Sequence, residues 1–190
     1  DNEELEEIRR RLEFSDKNPQ SSPRGSHKTR PPIETIESSF TDVCNFDEEA
    51  LTSEMDFSRY LDLLKEAAAR YTVLIAVCDT PFGESITSEM ISKLMALGLK
   101  ENLYGKYRYA YAAVIDRNER IFEKLPSSRT QAVKWSGTVG DTEISLESRG
   151  YEVPPRAGKI IINGTDLSLN MRGYNIIVYD RDQNRLIDKV

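Results

Sequence analysis

The chain has 190 residues, of which 38% are hydrophobic and 31% are charged, and its formal net charge at pH 7 is −6. This size and composition favour one soluble globular domain with additional polar segments. The negative charge argues against non-specific nucleic-acid binding, which needs a cationic face to neutralise phosphates. The sequence contains no run of about 18 apolar residues, the length that a membrane-spanning helix needs. We therefore expect neither a nucleic-acid partner nor a membrane span.

Residues 1–32 are predicted to form a flexible, tag-like N-terminal segment. Its first part is rich in charged residues and has apolar residues at helical spacing. The following stretch, SDKNPQSSPRGSHKTRPP, has the composition of a linker. The only histidine, His27, lies here, so we expect neither His-centred catalysis nor a His-rich metal site. The charged N-terminus also lacks the apolar stretch of a signal peptide.

A helix/strand half is predicted over residues 33–125, within an ordered domain that spans residues 33–190. FSRYLDLLKEAAARY carries an apolar stripe typical of a helix, and TVLIAVCD predicts a strand buried on both faces. The next segment predicts a second helix between the caps Thr87 and Gly98. Its expected buried face is Met90, Ile91, Leu94, Met95 and Leu97. KYRYAYAAVID then predicts a strand, and RNERIFEKL is a candidate for another.

A change of character follows in the second half of the chain. Residues 126–141 are polar and turn-rich, and we expect them to form a linker. A hairpin half is predicted over residues 142–190, with turns at Asn163-Gly164 and at DRDQN. The two halves together predict an α+β fold, with β-sandwich-like mixed sheets and flanking helices.

The order and spacing of these pieces resemble a known domain. GKIIINGTDLSLNMRGYNIIVYDRDQNRLIDKV resembles the opening of the interleukin-like EMT inducer (ILEI) domain, and VLIAVCD, SEMISKLMALG and YRYAYAAV resemble its second half. The hairpin half comes first in that family and last here. The chain therefore resembles a circularly permuted ILEI domain, or a cut across two tandem modules. A permuted domain predicts that Val190 and Ser39 lie close together.

Several functional expectations follow from this resemblance alone. Members of the family are secreted cytokine-like proteins or non-catalytic modules attached to carbohydrate-active enzymes. The stem domain of the protein O-mannose N-acetylglucosaminyltransferase resembles the family and binds a β-linked N-acetylglucosamine. The resemblance implies a non-catalytic, carbohydrate-binding accessory domain without cofactor, whose partners are a glycan or glycoprotein and an attached glycosyltransferase domain. It also suggests an extracellular or secretory-pathway location, although the family's usual disulfide cysteines are missing.

Four residues are candidate ligand-binding residues by the same resemblance. The family's sugar-contacting positions fall on Asp79, Arg108 and Arg172, and Tyr107 stands where the family has a Trp before the strand Arg. Sugar binding uses a planar aromatic face for C–H groups and charged side chains for hydroxyls. We predict no metal ligand and no catalytic residue.

Each polar candidate also has a structural interpretation. Asp79 can cap the turn DTPFGES, Arg172 can be a turn residue, and Arg108 can be a solvent-facing sheet residue. An Asp79–Arg108 ion pair that orders the fold is a further interpretation.

The tyrosines support an alternative function. Strand alternation predicts Tyr107, Tyr109 and Tyr111 on one sheet face and Arg108 on the other. A protein-interaction or cytokine-like ligand would use that tyrosine-rich sheet face, because Tyr and Arg are common interface anchors. An enzyme with an unrecognised active site is a third interpretation, although no acid–base pair, phosphate loop or nucleophile motif predicts catalysis.

Overall fold

The computed structural model describes residues 54–190, and its side chains are described from Phe57 onward. The tag-like segment over residues 1–32 lies outside this range, and so does Ser39. The flexibility of that segment and the proximity of Ser39 to Val190 therefore stay predictions.

The helices of the described chain are α1 (Glu54–Ala68) and α2 (Ser88–Ala96). The Thr87 side chain caps α2 by accepting a hydrogen bond from the Met90 backbone N–H at 3.2 Å, as predicted. Gly98, with φ of 94°, follows the end of α2. Met95 was expected to be buried and is 39% exposed, because it lies outside the buried stripe of the helix. Within residues 54–190 no helix has the length and apolar character needed to cross a membrane.

The strands pair into one continuous mixed sheet. Their bounds are β1 Thr72–Asp79, β2 Ala112–Asp116, β3 Glu119–Lys124, β4 Val133–Val139, β5 Thr142–Gly150, β6 Ala157–Ile162, β7 Thr165–Asp166, β8 Gly173–Asp180 and β9 Arg185–Lys189. Strand β1 is central: it pairs antiparallel with β2 and β8, and its last two residues pair parallel with the end of β5. These findings confirm the α+β class and the predicted burial of β1.

Two hydrophobic cores lie on opposite sides of β1. Val73, Ile75 and Val77 face the core that contains the buried stripes of α1 and α2. Leu74 and Ala76 face a second core that β4, β5 and β6 share with β1, β2 and β8. Because full burial of a Val, Leu or Ile side chain stabilises a protein by about 1.5–3 kcal/mol, these two cores hold β1 rigidly in place. The end of β1 is consequently a fixed platform for side chains.

Two expected boundaries were wrong. The strand predicted over residues 106–116 begins only at Ala112, because the chain before it turns at Gly105 and Arg108, both of which have positive φ. The segment 126–141, expected to be a linker, contributes strand β4. Trp135 on this strand stacks on Phe122, with ring centroids 5.2 Å apart. The hairpins at Asn163-Gly164 and between β8 and β9 are confirmed.

Candidate functional site

Asp79 ends strand β1 and is the centre of the candidate site. Its φ is 78°, a conformation that Asp and Asn tolerate better than most residues, and it is fully buried. Its Oδ2 lies 2.6 Å from Arg172 Nε and 3.7 Å from Arg156 Nη1. Neither carboxylate oxygen accepts a well-directed hydrogen bond within the described chain. The two guanidiniums therefore compensate the charge of Asp79 but do not satisfy its hydrogen-bonding capacity.

Two amide side chains fix the loop that carries Arg172. Asn175 is buried on β8, and its Nδ2 donates to Met171 O while its Oδ1 accepts from Met171 N, both at 2.8 Å. The neighbouring Asn170 Oδ1 accepts a hydrogen bond from Gly158 N at 2.7 Å. These contacts hold residues 170–171, so that Arg172 reaches Asp79 from a constrained backbone.

The backbone of Arg108 lies in a loop and is held by loop contacts, not by strand pairing. Its φ is 66°, and its N–H donates to Thr80 Oγ1 at 2.8 Å. Gly150, the last residue of β5, lies directly beneath it: a Cβ atom there would come within 2.2 Å of Arg108 O and 3.0 Å of Ala110 N. Only glycine allows this close approach of two backbones. The position of Arg108 therefore depends on Gly150.

Aromatic rings flank the Arg108 guanidinium. Its central carbon lies 5.0 Å from the Tyr107 ring centroid and 4.2 Å from that of Tyr151, within the range of cation–π attraction. The Arg156 guanidinium lies 4.8 Å from the same Tyr151 ring. Arg108 Nη1 also approaches Glu152 Oε1 at 3.5 Å. Side-chain hydrogen bonding with Tyr107, more than the charge of Glu152, raises the pKa of Arg108.

The structure brings the four predicted residues into one region, in two contacting pairs. Asp79 pairs with Arg172, and Arg108 contacts Tyr107. The alternative of an Asp79–Arg108 ion pair is wrong, since Asp79 pairs with Arg172 and Arg156 and Arg108 pairs with Glu152. Arg108 is also not a sheet residue, so strand alternation does not separate it from its neighbouring tyrosine.

The structural interpretation of Asp79 as a turn cap is not supported. No hydrogen bond joins its carboxylate to the following turn, which is instead fastened by Thr80, whose Oγ1 donates to Phe82 O at 2.6 Å. Tyr174 on β8 adds a second bond to this turn, from its hydroxyl to Pro81 O at 2.6 Å.

Sequence reasoning missed three site residues: Tyr151, Glu152 and Arg156. They lie in the β5–β6 turn, which is tied to β1 by a hydrogen bond from Tyr151 N to Asp79 O at 2.9 Å. The sequence signal for these residues was YEVPPR, in which an aromatic residue, two charged residues and a Pro-Pro turn directly follow a predicted strand. What placed this turn beside Asp79 is the parallel pairing of β1 with β5, which no local pattern reveals.

Cys78 lies next to Asp79 at the buried end of β1. Burial, and then the negative charge of Asp79, raise the pKa of its thiol to about 11, while Arg156 and Arg172 act in the opposite direction. The thiol is therefore protonated at neutral pH and is a poor nucleophile. Its chemistry agrees with a role as a small buried hydrophobic side chain.

Known proteins give no independent assignment for this site. No protein-family model, curated protein or solved structure matches the chain. The function has to be inferred from the geometry of the site and from the resemblance noted above.

Proposed function

We propose that this chain is a non-catalytic, ILEI-like carbohydrate-binding module with permuted order. Its role would be to tether or orient a glycan-active partner or neighbouring domain. Such a tether raises the effective concentration of a glycan near the active site that acts on it.

One observation carries this proposal: guanidiniums and aromatic rings from separate loops converge at the rigid end of β1. Arg108 and Arg172 supply planar sets of N–H donors, which match the oxygen atoms of a sugar. Tyr107 and Tyr151 are 44% and 40% exposed, so part of each ring stays open to the C–H surface of a pyranose beside the guanidiniums that contact it.

Asp79 has an indirect role in this proposal. Its side chain is only 1% exposed, so a sugar hydroxyl cannot reach it while Arg156 and Arg172 are in place. We therefore treat Asp79 as a positioning residue that orients these two guanidiniums. The resemblance assigned it a direct sugar contact, and the burial of the carboxylate favours the indirect role.

A protein-interaction ligand is the second candidate function. The tyrosine-rich sheet face expected for it does not form, because Tyr111 is fully buried and its hydroxyl bonds Glu123 at 2.9 Å. A separate aromatic pair is nevertheless exposed: Tyr104 is 60% exposed and contacts the partly buried Phe82, with ring centroids 5.0 Å apart. This aromatic surface is the observation that favours a protein partner.

A glycan array distinguishes the two functions. The intact chain is compared with an Arg108→Gln, Arg172→Gln double variant and with Arg117→Gln, which removes one guanidinium at the far end of β1. We expect selective binding to one class of glycan, lost in the double variant and kept in Arg117→Gln. Thermal unfolding confirms that all three chains are folded.

Two results would contradict the glycan function. One is the absence of binding to any glycan by the folded intact chain, which would favour the protein-interaction function. The other is equal binding by the intact chain and the double variant, which would place any glycan contact outside this site.

A further inference from the structure

The candidate site holds more positive charge than its own carboxylates neutralise. The guanidiniums of Arg108, Arg156 and Arg172 meet the carboxylates of Asp79 and Glu152, which is three positive charges against two negative charges. The whole chain, in contrast, has a formal charge of −6. A local positive excess on an acidic protein attracts an anionic ligand to this position rather than to the surface in general.

Arg108 and Arg156 both contact the Tyr151 ring. Their guanidinium carbons lie 4.2 Å and 4.8 Å from its centroid. Two cations that contact one ring repel each other, and a nearby anion offsets that repulsion. The ring thus brings two sets of N–H donors into the same part of the site.

The contacts that Arg108 and Arg156 make with carboxylates are long. Arg108 lies 3.5 Å from Glu152 and Arg156 lies 3.7 Å from Asp79, whereas N–H···O hydrogen bonds span roughly 2.7–3.2 Å. Each guanidinium carries five N–H donors, more than these contacts use. Both side chains therefore have donors for a further acceptor.

Glu152 places a carboxylate beside Arg108 in the absence of a ligand. Its side chain is 37% exposed and that of Arg108 is 35% exposed, so this ion pair is solvated and contributes little stability. A carboxylate brought by a ligand can displace Glu152 at small cost and form the shorter, bidentate contact that arginine favours.

We propose that the site selects glycans whose sugar carries a carboxylate, such as a uronic or sialic acid. This inference rests on the proposed glycan-binding function. Arg156, together with Arg108, engages the sugar carboxylate and sets the preference, while Arg172 stays paired with Asp79. Glu152 competes with the ligand for Arg108.

The test is an array of uronic- and sialic-acid glycans, each printed beside the same glycan with its carboxyl group reduced to an alcohol. Three variants are compared with the intact chain: Arg156→Gln, Glu152→Gln and, as the matched loss of one guanidinium, Arg117→Gln. We expect the intact chain to bind the acidic member of a pair about tenfold or more tightly than the reduced member.

The variants give two further expected results. Arg156→Gln reduces the preference for the acidic member to near unity, and Arg117→Gln leaves it unchanged. Glu152→Gln strengthens binding of the acidic member by about two- to fivefold, because it removes the internal competitor. A merely structural role for Arg156 would lower binding of both members equally and would overturn the proposal.

The array also separates failure of this inference from failure of the glycan function. Equal or stronger binding of the carboxyl-reduced glycans would overturn the acidic preference and keep the glycan function. Binding to neither member of any pair would overturn both. Preferential binding to acidic members that survives in Arg156→Gln would reject Arg156 as the residue that sets the preference.

Discussion

The two ends of β1 each hold a buried aspartate paired with an arginine, and the two pairs are built differently. At the start of the strand, Asp116 accepts hydrogen bonds from Thr72 Oγ1 at 2.7 Å and from Arg181 Nε at 3.0 Å and 3.2 Å. At the other end, about 23 Å away, Asp79 is compensated by two arginines and accepts no well-directed hydrogen bond in the described chain.

This difference distinguishes the pair that stabilises the fold from the pair that is accessible to a ligand. Both carboxylate oxygens of Asp116 accept hydrogen bonds, and Arg181 is only 22% exposed, so the pair fastens β2 to the end of β8. A shallow cavity of about 300 Å³ lies near this end, but its Arg117 and Asp182 side chains already pair with each other. At the Asp79 end the Arg108 and Arg156 side chains are 35% and 49% exposed and keep donors for another molecule.

The largest expected effect comes from Gly150→Ala, which disrupts the Asp79 end alone. The added Cβ would lie 2.2 Å from Arg108 O, a backbone atom that cannot rotate away. We expect a loss of about 3 kcal/mol in the free energy of unfolding, together with loss of glycan binding. Urea denaturation measures the first quantity.

Gly164→Ala is the matched control for Gly150→Ala. Gly164 has φ of 80° but no atom within 4 Å of its added Cβ, so only backbone strain of about 1 kcal/mol is expected. If Gly150→Ala cost no more than Gly164→Ala, the close packing that positions Arg108 would be wrong.

The next effect separates the two aspartates directly. Asp116→Asn places an amide N–H₂ group beside Arg181 and removes charge-assisted hydrogen bonds, so we expect a loss of about 2 kcal/mol in the free energy of unfolding. Asp79→Asn keeps a side chain that tolerates φ of 78° and leaves guanidiniums that water can solvate. Its expected change is below about 1 kcal/mol, with at least tenfold weaker glycan binding. Equal destabilisation by both variants would make Asp79 a structural residue.

Much of this fold follows from local patterns. The continuous apolar run of β1, the Thr87 cap and the Asn163-Gly164 turn each determine an element by short-range physics, and the structure confirms all three. Strand β4 was not predicted, because its segment is mostly polar and has only three apolar residues, Val133, Trp135 and Val139. Its strand conformation depends on pairing with β5, which is a tertiary effect.

The site was only half predictable for a related reason. Asp79, Arg108, Arg172 and Tyr107 were found through the resemblance, and the structure places them in one region. The β5–β6 turn was not found, because its approach to Asp79 follows from the parallel β1–β5 contact. The prediction of a strand at Arg108 was wrong. The aromatic residues around it favour a strand, but Gly150 packs against the backbone there and allows a tight loop.

A smaller effect tests whether the Tyr151 ring gathers the two guanidiniums. Tyr151→Leu removes the ring that Arg108 and Arg156 share, and Tyr151→Phe retains it. We expect the Leu variant to weaken glycan binding by about fivefold, in line with roughly 1 kcal/mol for cation–π contacts. The Phe variant should bind nearly as well as the intact chain. Similar losses in both variants, measured by titration calorimetry, would instead assign the effect to the hydroxyl group.

The smallest expected effect uses the Cys78 thiol as a local reporter of charge at the Asp79 end. Its pKa is raised from 9.0 to about 11, so the folded state holds this proton more tightly than the unfolded state does. The thiol therefore contributes stability that is complete below pH 9.0 and is lost as the pH rises through about 11. Cys78→Ala should remove this part of the pH dependence of unfolding.

The same reporter compares the two ends of β1 in one experiment. Asp79 raises the pKa of Cys78 and Arg172 lowers it, so Asp79→Asn should decrease the pKa and Arg172→Gln should increase it. Asp116→Asn should leave it unchanged, because its charge lies about 20 Å away, beyond the Debye length at physiological salt. The Cβ chemical shift of isotope-labelled cysteine, followed by NMR after the chain's other cysteine, Cys44, is replaced by alanine, measures each pKa. A pKa that responds equally to charges at both ends would mean that the Asp79 cluster is not electrostatically local, which removes the basis for assigning its positive excess to a ligand.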